Sequence, residues 1–436
     1  MQNKVKIIGA GLAGSEAAIY LADRGINVEL YDVKPKKFTP AHKSEGFAEL
    51  VCSNSLKSGD VYGNASGLMK EEMRLVGSAI IDAADKTKVR AGNALAVDRD
   101  KFSEVITERI KAHPNIKFIC EEVNSFDDDE ITVIATGPLT TDPLAQSISK
   151  LVGDGLHFYD ASAPIVTAES IDMEYAFFGD RYGKGDNDHL NLPFGKEEYE
   201  LFISELINAK KAELKSFEKS EIFEGCMPVE VMAARGKDTL RFGPLKPVGL
   251  TDPKTGRWPY ACLQLRKENE EGSAYNLVGF QTNLLFPEQK RVFGIIPALK
   301  NAEYLRYGVM HRNTFVNAPN CLNCDFSVKG KENLYFAGQI TGVEGYVESA
   351  VSGLVAAVFI YNRLRGKKIP PIPETTTTGA LIKYITTPNK DFQPMNANFG
   401  ILPPLGRIIK DKSERKRAMA ERSLKDTENY VKEYLQ

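Results

Sequence analysis

The chain has 436 residues, 42% hydrophobic and 26% charged, with a formal net charge of −2. That length suits two domains at the usual ~100–200 residues each, and so small a charge sets up no overall field for nucleic acid. A membrane span needs about 18 consecutive apolar residues, and no such run is read. The first strand is short and soon followed by charge, unlike a signal peptide, so the expected location is cytoplasmic. Six cysteines are too sparse for a secreted disulfide framework, which leaves individual thiols for chemistry.

In chain order, the apolar run Val5-Lys6-Ile7-Ile8 predicts a strand, and Ser15 to Asp23 predicts a helix. Between them stands Gly9-Ala10-Gly11-Leu12-Ala13-Gly14, a G-x-G-x-x-G on a strand-to-helix turn. A second strand, Ile26 to Tyr31, ends at Asp32, which completes the βαβ unit of a dinucleotide site. The first glycine permits the turn, the second lets backbone approach a pyrophosphate, and the third lets helix pack on strand. The helix N-terminus then faces the anion, and Asp32 falls where a carboxylate accepts ribose hydroxyls.

Further along, Thr132 to Gly137 reads as another strand closed by glycine. The middle of the chain has a different texture. It holds a charged helical stretch, Lys196 to Lys219, a turn at Asp252 to Gly256, and strand-like runs at Ala261 to Leu265 and Ala274 to Phe280. Asn333 to Gln339 reads as a buried strand ending near Gly338, and Thr341-Gly342-Val343-Glu344-Gly345-Tyr346 leads into a small-residue helix, Ser349 to Val358. A second glycine-lined helix start suits the flavin end of FAD better than a nicotinamide dehydrogenase. The segment Ile369 to Thr378 reads as an extended surface connection before a terminal helix, Asp411 to Leu435.

The expected fold is therefore α/β: a Rossmann-like FAD-binding domain of the glutathione-reductase type with an inserted α+β domain. The FAD domain is discontinuous, 1–150 and 325–436, around an insertion spanning 151–324. The expected cofactor contacts are Gly9, Ala10, Gly11, Leu12, Ala13, Gly14, Asp32, Gly137, Gly338, Gln339, Gly342 and Gly345.

Two cysteines sit in neighbourhoods that suit chemistry. Cys52 lies in Phe47-Ala48-Glu49-Leu50-Val51-Cys52-Ser53-Asn54-Ser55-Leu56, and Cys226 lies between glycine and proline in Phe223-Glu224-Gly225-Cys226-Met227-Pro228. The thiolate is the reactive form, favoured near cations. Either cysteine reads equally as a small buried hydrophobe. Cys321-Leu322-Asn323-Cys324 has no second pair or histidine partner at matching spacing, so no metal is expected.

Long segments in matching order resemble the folate- and FAD-dependent uracil-5-methyltransferase family, relatives of the larger flavoprotein that modifies the tRNA wobble uridine. They are Pro40-Ala41-His42, the Cys52 segment, Lys70-Glu71-Glu72-Met73-Arg74, Ala94-Leu95-Ala96-Val97-Asp98-Arg99 and the Cys226 segment. Arg241 to Leu250, Tyr307 to Thr314 and Gly338 to Ser349 complete the set. The resemblance implies an enzyme in which reduced FAD takes a one-carbon unit from methylenetetrahydrofolate and passes it to C5 of an RNA uridine. NADPH or NADH supplies the reducing equivalents. The usual target is the T-loop uridine of tRNA, and some relatives methylate ribosomal RNA. Cys226 matches the family cysteine that adds to uracil C6. Cys52 matches the second, expected to act as base at C5 or to shield the activated flavin.

Phosphate contacts dominate RNA affinity, which directs attention to Arg235, Lys237, Arg241 and Lys246 and to the stretch Arg407 to Arg417. Among these, Arg235 and Lys246 are the expected RNA contacts, with His311, Arg312 and Asn313 facing folate or the flavin edge. Lys57 stands where the family commonly has arginine, and Lys43 where a second histidine often follows His42. Since lysine cannot form bidentate phosphate contacts, a ribosomal RNA target stays open. Two competing classes remain: a flavin-dependent NAD(P)H oxidoreductase using Cys321 and Cys324, and a catalytically silent RNA-binding flavoprotein.

Overall fold

The strand Lys4–Ile8 and the helix Leu12–Ala22 set the core, because the helix has no exposed face and the strand turns Val5 and Ile7 inward while Lys4 and Lys6 take the other side. Val5 and Ile7 are fully buried, and every residue of the helix is buried. The helix therefore lies inside the protein and not along its surface. The structure is a computed structural model describing residues 4–39, 41–153, 156–183, 187–212, 227–389 and 392–435, with 156–161 and 311–314 described by backbone alone. Cys226 lies outside the described residues.

Two six-stranded sheets organise the chain. The first has the order Ser327–Val328, Lys331–Phe336, Thr132–Ile134, Lys4–Ile8, Asn27–Asp32 and Ile116–Cys120. All its pairings are parallel except the one at the Ser327–Val328 edge. Parallel strands covered on both faces read as near-continuous apolar runs, as Lys331–Phe336 does at its buried end. The second sheet is antiparallel throughout, in the order Phe177–Phe178, Leu190–Phe194, Ala261–Lys267, Ala274–Leu277, Ile165–Thr167 and Tyr304–Arg306. Its own apolar core includes Tyr199 and Phe202 from the helix Lys196–Asn208 and Phe293 from the helix Phe286–Phe293. A two-stranded antiparallel ladder, Leu156–Ala161 with Met310–Phe315, lies where the chain passes between the two.

The helix Tyr346–Leu364 packs on Leu12–Ala22 at backbone distance. A Cβ at Gly353 would collide with the Ala13 carbonyl, so only glycine admits this approach. Tyr346–Leu364 is long and apolar enough to cross a membrane by length and composition, but its apolar surface is mostly buried against the first core.

Three local expectations change. The helix predicted from Ser349 begins at Tyr346, and the helix from Lys196 ends at Asn208. The stretch predicted as a surface connection at Ile369 to Thr378 ends deep in the protein, with Thr376, Thr377 and Thr378 buried. The cause is Glu72, a buried carboxylate that accepts from the backbone N–H and hydroxyl groups of Thr377 and Thr378 and from the Ser423 hydroxyl. It caps the helix Thr377–Thr386 from 305 residues away.

Candidate active site

The three glycines of the first turn do different work. A Cβ on Gly9, whose φ is +104°, would come within 2.5 Å of the Ala135 carbonyl, and one on Gly14 would collide with the Gly9 carbonyl. Gly11 has nothing within 4 Å of its Cβ position, because it faces an open cleft of about 1150 Å³. The helix that starts there has no side-chain cap, which leaves its first N–H groups for an anion. This cradle fits a dinucleotide pyrophosphate.

Ala10, Leu12, Ala13, Asp32, Gly137, Gly338 and Gln339 line the same cleft. Asp32 is held at its edge, accepting from the Ala10 N–H at 2.7 Å and the Lys34 N–H at 2.9 Å. Tyr346 and Ser349 bring the start of a second helix, also without a side-chain cap, to the other end. Gly14, Gly342 and Gly345 do not belong to the wall. Gly14 closes the helix on the strand, Gly342 (φ +86°) meets the Phe392 ring, and Gly345 (φ +118°) abuts Glu348 and Lys57. These positions need glycine for packing and backbone conformation.

The structure adds cleft residues that the sequence reading assigned no role: Lys34, Thr39, His42, Glu49 and Tyr346. His42 Nδ1 lies 2.6 Å from the Thr39 hydroxyl. Burial, helped by the Lys34 charge, pushes its pKa down. The Pro40-Ala41-His42 segment was the available signal, although nothing in its composition distinguishes a cleft histidine from a surface one.

Cys52 is fastened to the end of this cleft where Tyr346 lies. Its backbone N–H donates to the Tyr346 hydroxyl at 2.6 Å, and the Ser53 N–H donates to the same oxygen at 3.1 Å. Tyr346 is partly buried, and desolvation of its phenol pushes that group well above the usual range. Two residues on, Asn54 rivets the loop to both sheets' surroundings. Its amide donates to the carbonyls of Val97 at 3.0 Å and Lys267 at 2.8 Å, and its oxygen accepts from Arg266 Nε at 2.9 Å. Lys57, at φ +64°, turns inward and donates to the buried Glu348 at 2.8 Å and to the Glu344 carbonyl.

Both flanks of the segment that carries Cys226 are pinned to one strip, Gln281 to Asn283. On the N-terminal side, Ala212 exchanges bonds with Asn283 at 2.9 and 3.1 Å. On the C-terminal side, the Val229 N–H donates to Gln281 at 2.7 Å. Buried Glu230 accepts from the Asn283 N–H at 2.7 Å and the Thr282 hydroxyl at 2.8 Å, and burial pushes its pKa up.

The remaining expected residues are dispersed. His311, Arg312 and Asn313 lie on the connecting ladder opposite Asp160, Tyr159 and Phe158, their side chains outside the description. Arg235 and Lys246 are exposed on the second core. Of their neighbours, Arg241 is taken by the Tyr260 carbonyl at 2.9 Å and by Asp238, and Lys237 by Glu200 at 2.8 Å. In the C-terminal stretch, Lys416 donates to the Gly63 carbonyl and Arg417 to Glu421. Burial pushes the Cys321 thiol up to about 11 and raises Cys324 as well, the opposite of what a reactive dithiol needs. Among the described residues, no group of three or more His, Cys, Asp or Glu side chains is arranged to hold a metal.

A parallel sheet that delivers two uncapped helix starts to one cleft defines an FAD-binding flavoprotein fold. The crystal structure of GidA from Aquifex aeolicus shares it, with a TM-score of 0.68 at 16% identity, covering 99% of this chain and 75% of that one. The family described as Glucose inhibited division protein A matches residues 4–368. The chain is 57% identical to the methylenetetrahydrofolate-tRNA-(uracil-5-)-methyltransferase TrmFO of Acetivibrio thermocellus, with 100% of both chains covered. It is 54% identical to the TrmFO of Fusobacterium nucleatum over 99% of this chain and 100% of that one. The chain belongs to the GidA family and, within it, to the TrmFO group.

Proposed function

We propose that this protein forms 5-methyluridine in tRNA, at the T-loop uridine, using methylenetetrahydrofolate as carbon donor, FAD as cofactor and NADPH or NADH as reductant, in the cytoplasm. The observation that carries the reading is the bond from the Cys52 loop to Tyr346, which seats a cysteine loop against the helix that opens on the FAD cleft. When bound, FAD supplies the redox chemistry and carriage of the one-carbon unit. The chain's residues do the rest. Leu12 and Ala13 N–H groups and the open face at Gly11 receive the pyrophosphate, Asp32 the ribose, and Gly137, Gly338 and Gln339 border the rest of the cofactor.

Cys226 adds through sulfur to uracil C6, which moves an electron pair onto the ring and makes C5 nucleophilic. After C5 has bonded to carbon, Cys52 removes the C5 proton and the electrons expel the Cys226 sulfur. His311, Arg312 and Asn313 serve folate or the flavin edge, and Arg235 and Lys246 contact RNA phosphates. Lys57 is occupied by Glu348, so its departure from arginine bears on loop anchoring and not on RNA choice. That removes one ground for a ribosomal RNA target.

The test is incubation with FAD, NADPH, carbon-labelled methylenetetrahydrofolate and separate pools of unmodified tRNA and ribosomal RNA, followed by nucleoside analysis. Label in 5-methyluridine of tRNA is expected. Label only in ribosomal RNA would change the target, and NADPH consumption without label in either would replace the reading with a flavin oxidoreductase.

A further inference from the structure

Three guanidiniums converge on the Cys52 loop from three separate parts of the chain. Arg99, which opens the helix Arg99–Ala112, donates through Nη1 to the Leu50 carbonyl at 2.7 Å. Arg266, on the strand Ala261–Lys267, donates to Asn54 at 2.9 Å. Arg306, on the strand Tyr304–Arg306, donates through Nη2 to the Ala41 carbonyl at 3.2 Å. Leu50 precedes Cys52 by two residues and Asn54 follows it by two, so Arg99 and Arg266 hold the loop on either side of Cys52. Burial pulls the pKa of Arg266 and of Arg306 down and Arg99 adds to it, while Glu268 acts against it on Arg266, and a charge on Cys52 would act against it on both.

The enclosure is short of negative charge. Glu268 pairs with Arg99 at 2.7 Å, and Glu49 lies 3.7 Å from Lys34. With Asp32 beside Lys34, four cations thus face three carboxylates in a region largely closed to water. Such a surplus is costly unless an anion joins it. Tyr346 is kept protonated by desolvation of its phenol, and His42 is kept neutral. Cys52 is the remaining group of this circle that can take the charge. The arginines are not saturated structural donors either, since Arg99 Nε and the facing Glu268 Oε1 are buried without hydrogen-bond partners.

We infer that Arg99, Arg266 and Arg306 together hold Cys52 as its thiolate, so that it is ready to accept a proton when substrate arrives. The inference rests on the proposed base role of Cys52 and specifies what confers it. A thiolate beside guanidiniums is favoured by direct Coulomb attraction in a medium of low effective dielectric constant. Arg266, Arg99 and Arg306 act through Cys52 and are positioning residues.

The experiment is the pH dependence of iodoacetamide alkylation at Cys52 in the FAD-loaded protein, followed by peptide mass spectrometry. An ordinary thiol has its midpoint at about 8.5. The wild type is expected to reach half its plateau rate below about pH 7.5, and Arg266→Met to move the curve up by about one unit, a roughly tenfold slower reaction at pH 6. Arg266→Lys, which keeps the charge, should restore most of the shift. Arg306→Gln is the second variant, at a half-buried position that loses a single bond to Ala41; retained flavin absorbance reports its folding, and it decides the matter if Arg266→Met does not fold. A wild-type midpoint at or above about 8.5 overturns the inference, as does an unmoved curve in a folded variant. Intact methyl transfer with an ordinary midpoint sinks this inference alone. A lowered midpoint without methyl transfer leaves it standing and sinks the functional reading.

Discussion

Around Gly9 and Gly11 the cleft wall is backbone: helix N–H groups, carbonyls and, at Gly9, a position where a Cβ would collide. Around Cys52, beside the cleft, the surroundings are side chains, with Arg99 from one core, Arg266 and Glu268 from the other, and Asn54 between them. The first half needs only the parallel sheet, where the Gly9 turn packs on Ala135 at the end of the strand Thr132–Ile134. The second exists only when two separate cores have docked, so it reports on tertiary structure in a way the glycine turn does not. A cofactor can thus be bound by geometry within one core while the chemistry beside it depends on the docking of two.

Substitutions can break this contrast, beginning with the largest effect. Gly14→Val should abolish the folded, flavin-binding protein, because the added carbons collide with the Gly9 carbonyl; soluble yield and flavin absorbance measure it. Asn54→Ala should cost about 3 kcal/mol in chemical denaturation, since it strands the Val97 and Lys267 carbonyls and the Arg266 guanidinium inside the protein. If that loss proves to be under about 0.5 kcal/mol, the range of an ordinary surface change, the two halves are not riveted there.

Glu16 sharpens the comparison by pH. It lies on the first helix, fully buried, and caps the helix Ala79–Lys86 through the N–H groups of Ala79 and Ile80, both at 2.9 Å. Burial raises its pKa from 4.5 to about 7. The folded protein therefore binds this proton more tightly than the unfolded chain, and stability falls as pH rises from about 4.5 to about 7, by up to about 3 kcal/mol, then levels off. Glu16→Gln should flatten that slope, read as Tm against pH. The smallest effect on stability is expected for Gly11→Val. Its Cβ position is open, so apo stability should stay within about 1 kcal/mol of wild type while flavin affinity drops at least about tenfold, measured by flavin titration. An equal loss of both would show that Gly11 serves packing.

The parts legible in sequence share one property. The first turn is legible because the G-x-G-x-x-G spacing between a strand and a helix is a local pattern, even though the clash that forces Gly9 comes from the remote Ala135 carbonyl, and the apolar strands announce a buried parallel sheet. The helix start at Tyr346 was placed three residues late because its first turn contains Tyr346 and Glu348, large residues that do not resemble a close-approach segment; Glu348 is buried by pairing with Lys57. The Thr376 to Thr378 stretch looked like surface because polar residues usually are, and its partner Glu72 is remote in sequence. Arg235 and Lys246 had sequence proximity to basic neighbours, but Arg241 and Lys237 spend their charge on local partners.

The sequence by itself determined the dinucleotide turn and the parallel sheet, because steric fit and apolar patterning act over short stretches of chain; the candidate cysteines rest on the family resemblance. Only the tertiary structure decided which glycines face the cleft, that Lys57 points inward, and that Arg99, Arg266 and Arg306 gather at Cys52. The physical reason is range: each arginine read alone is an ordinary surface cation, and only folding brings the three together in a region where water no longer screens them.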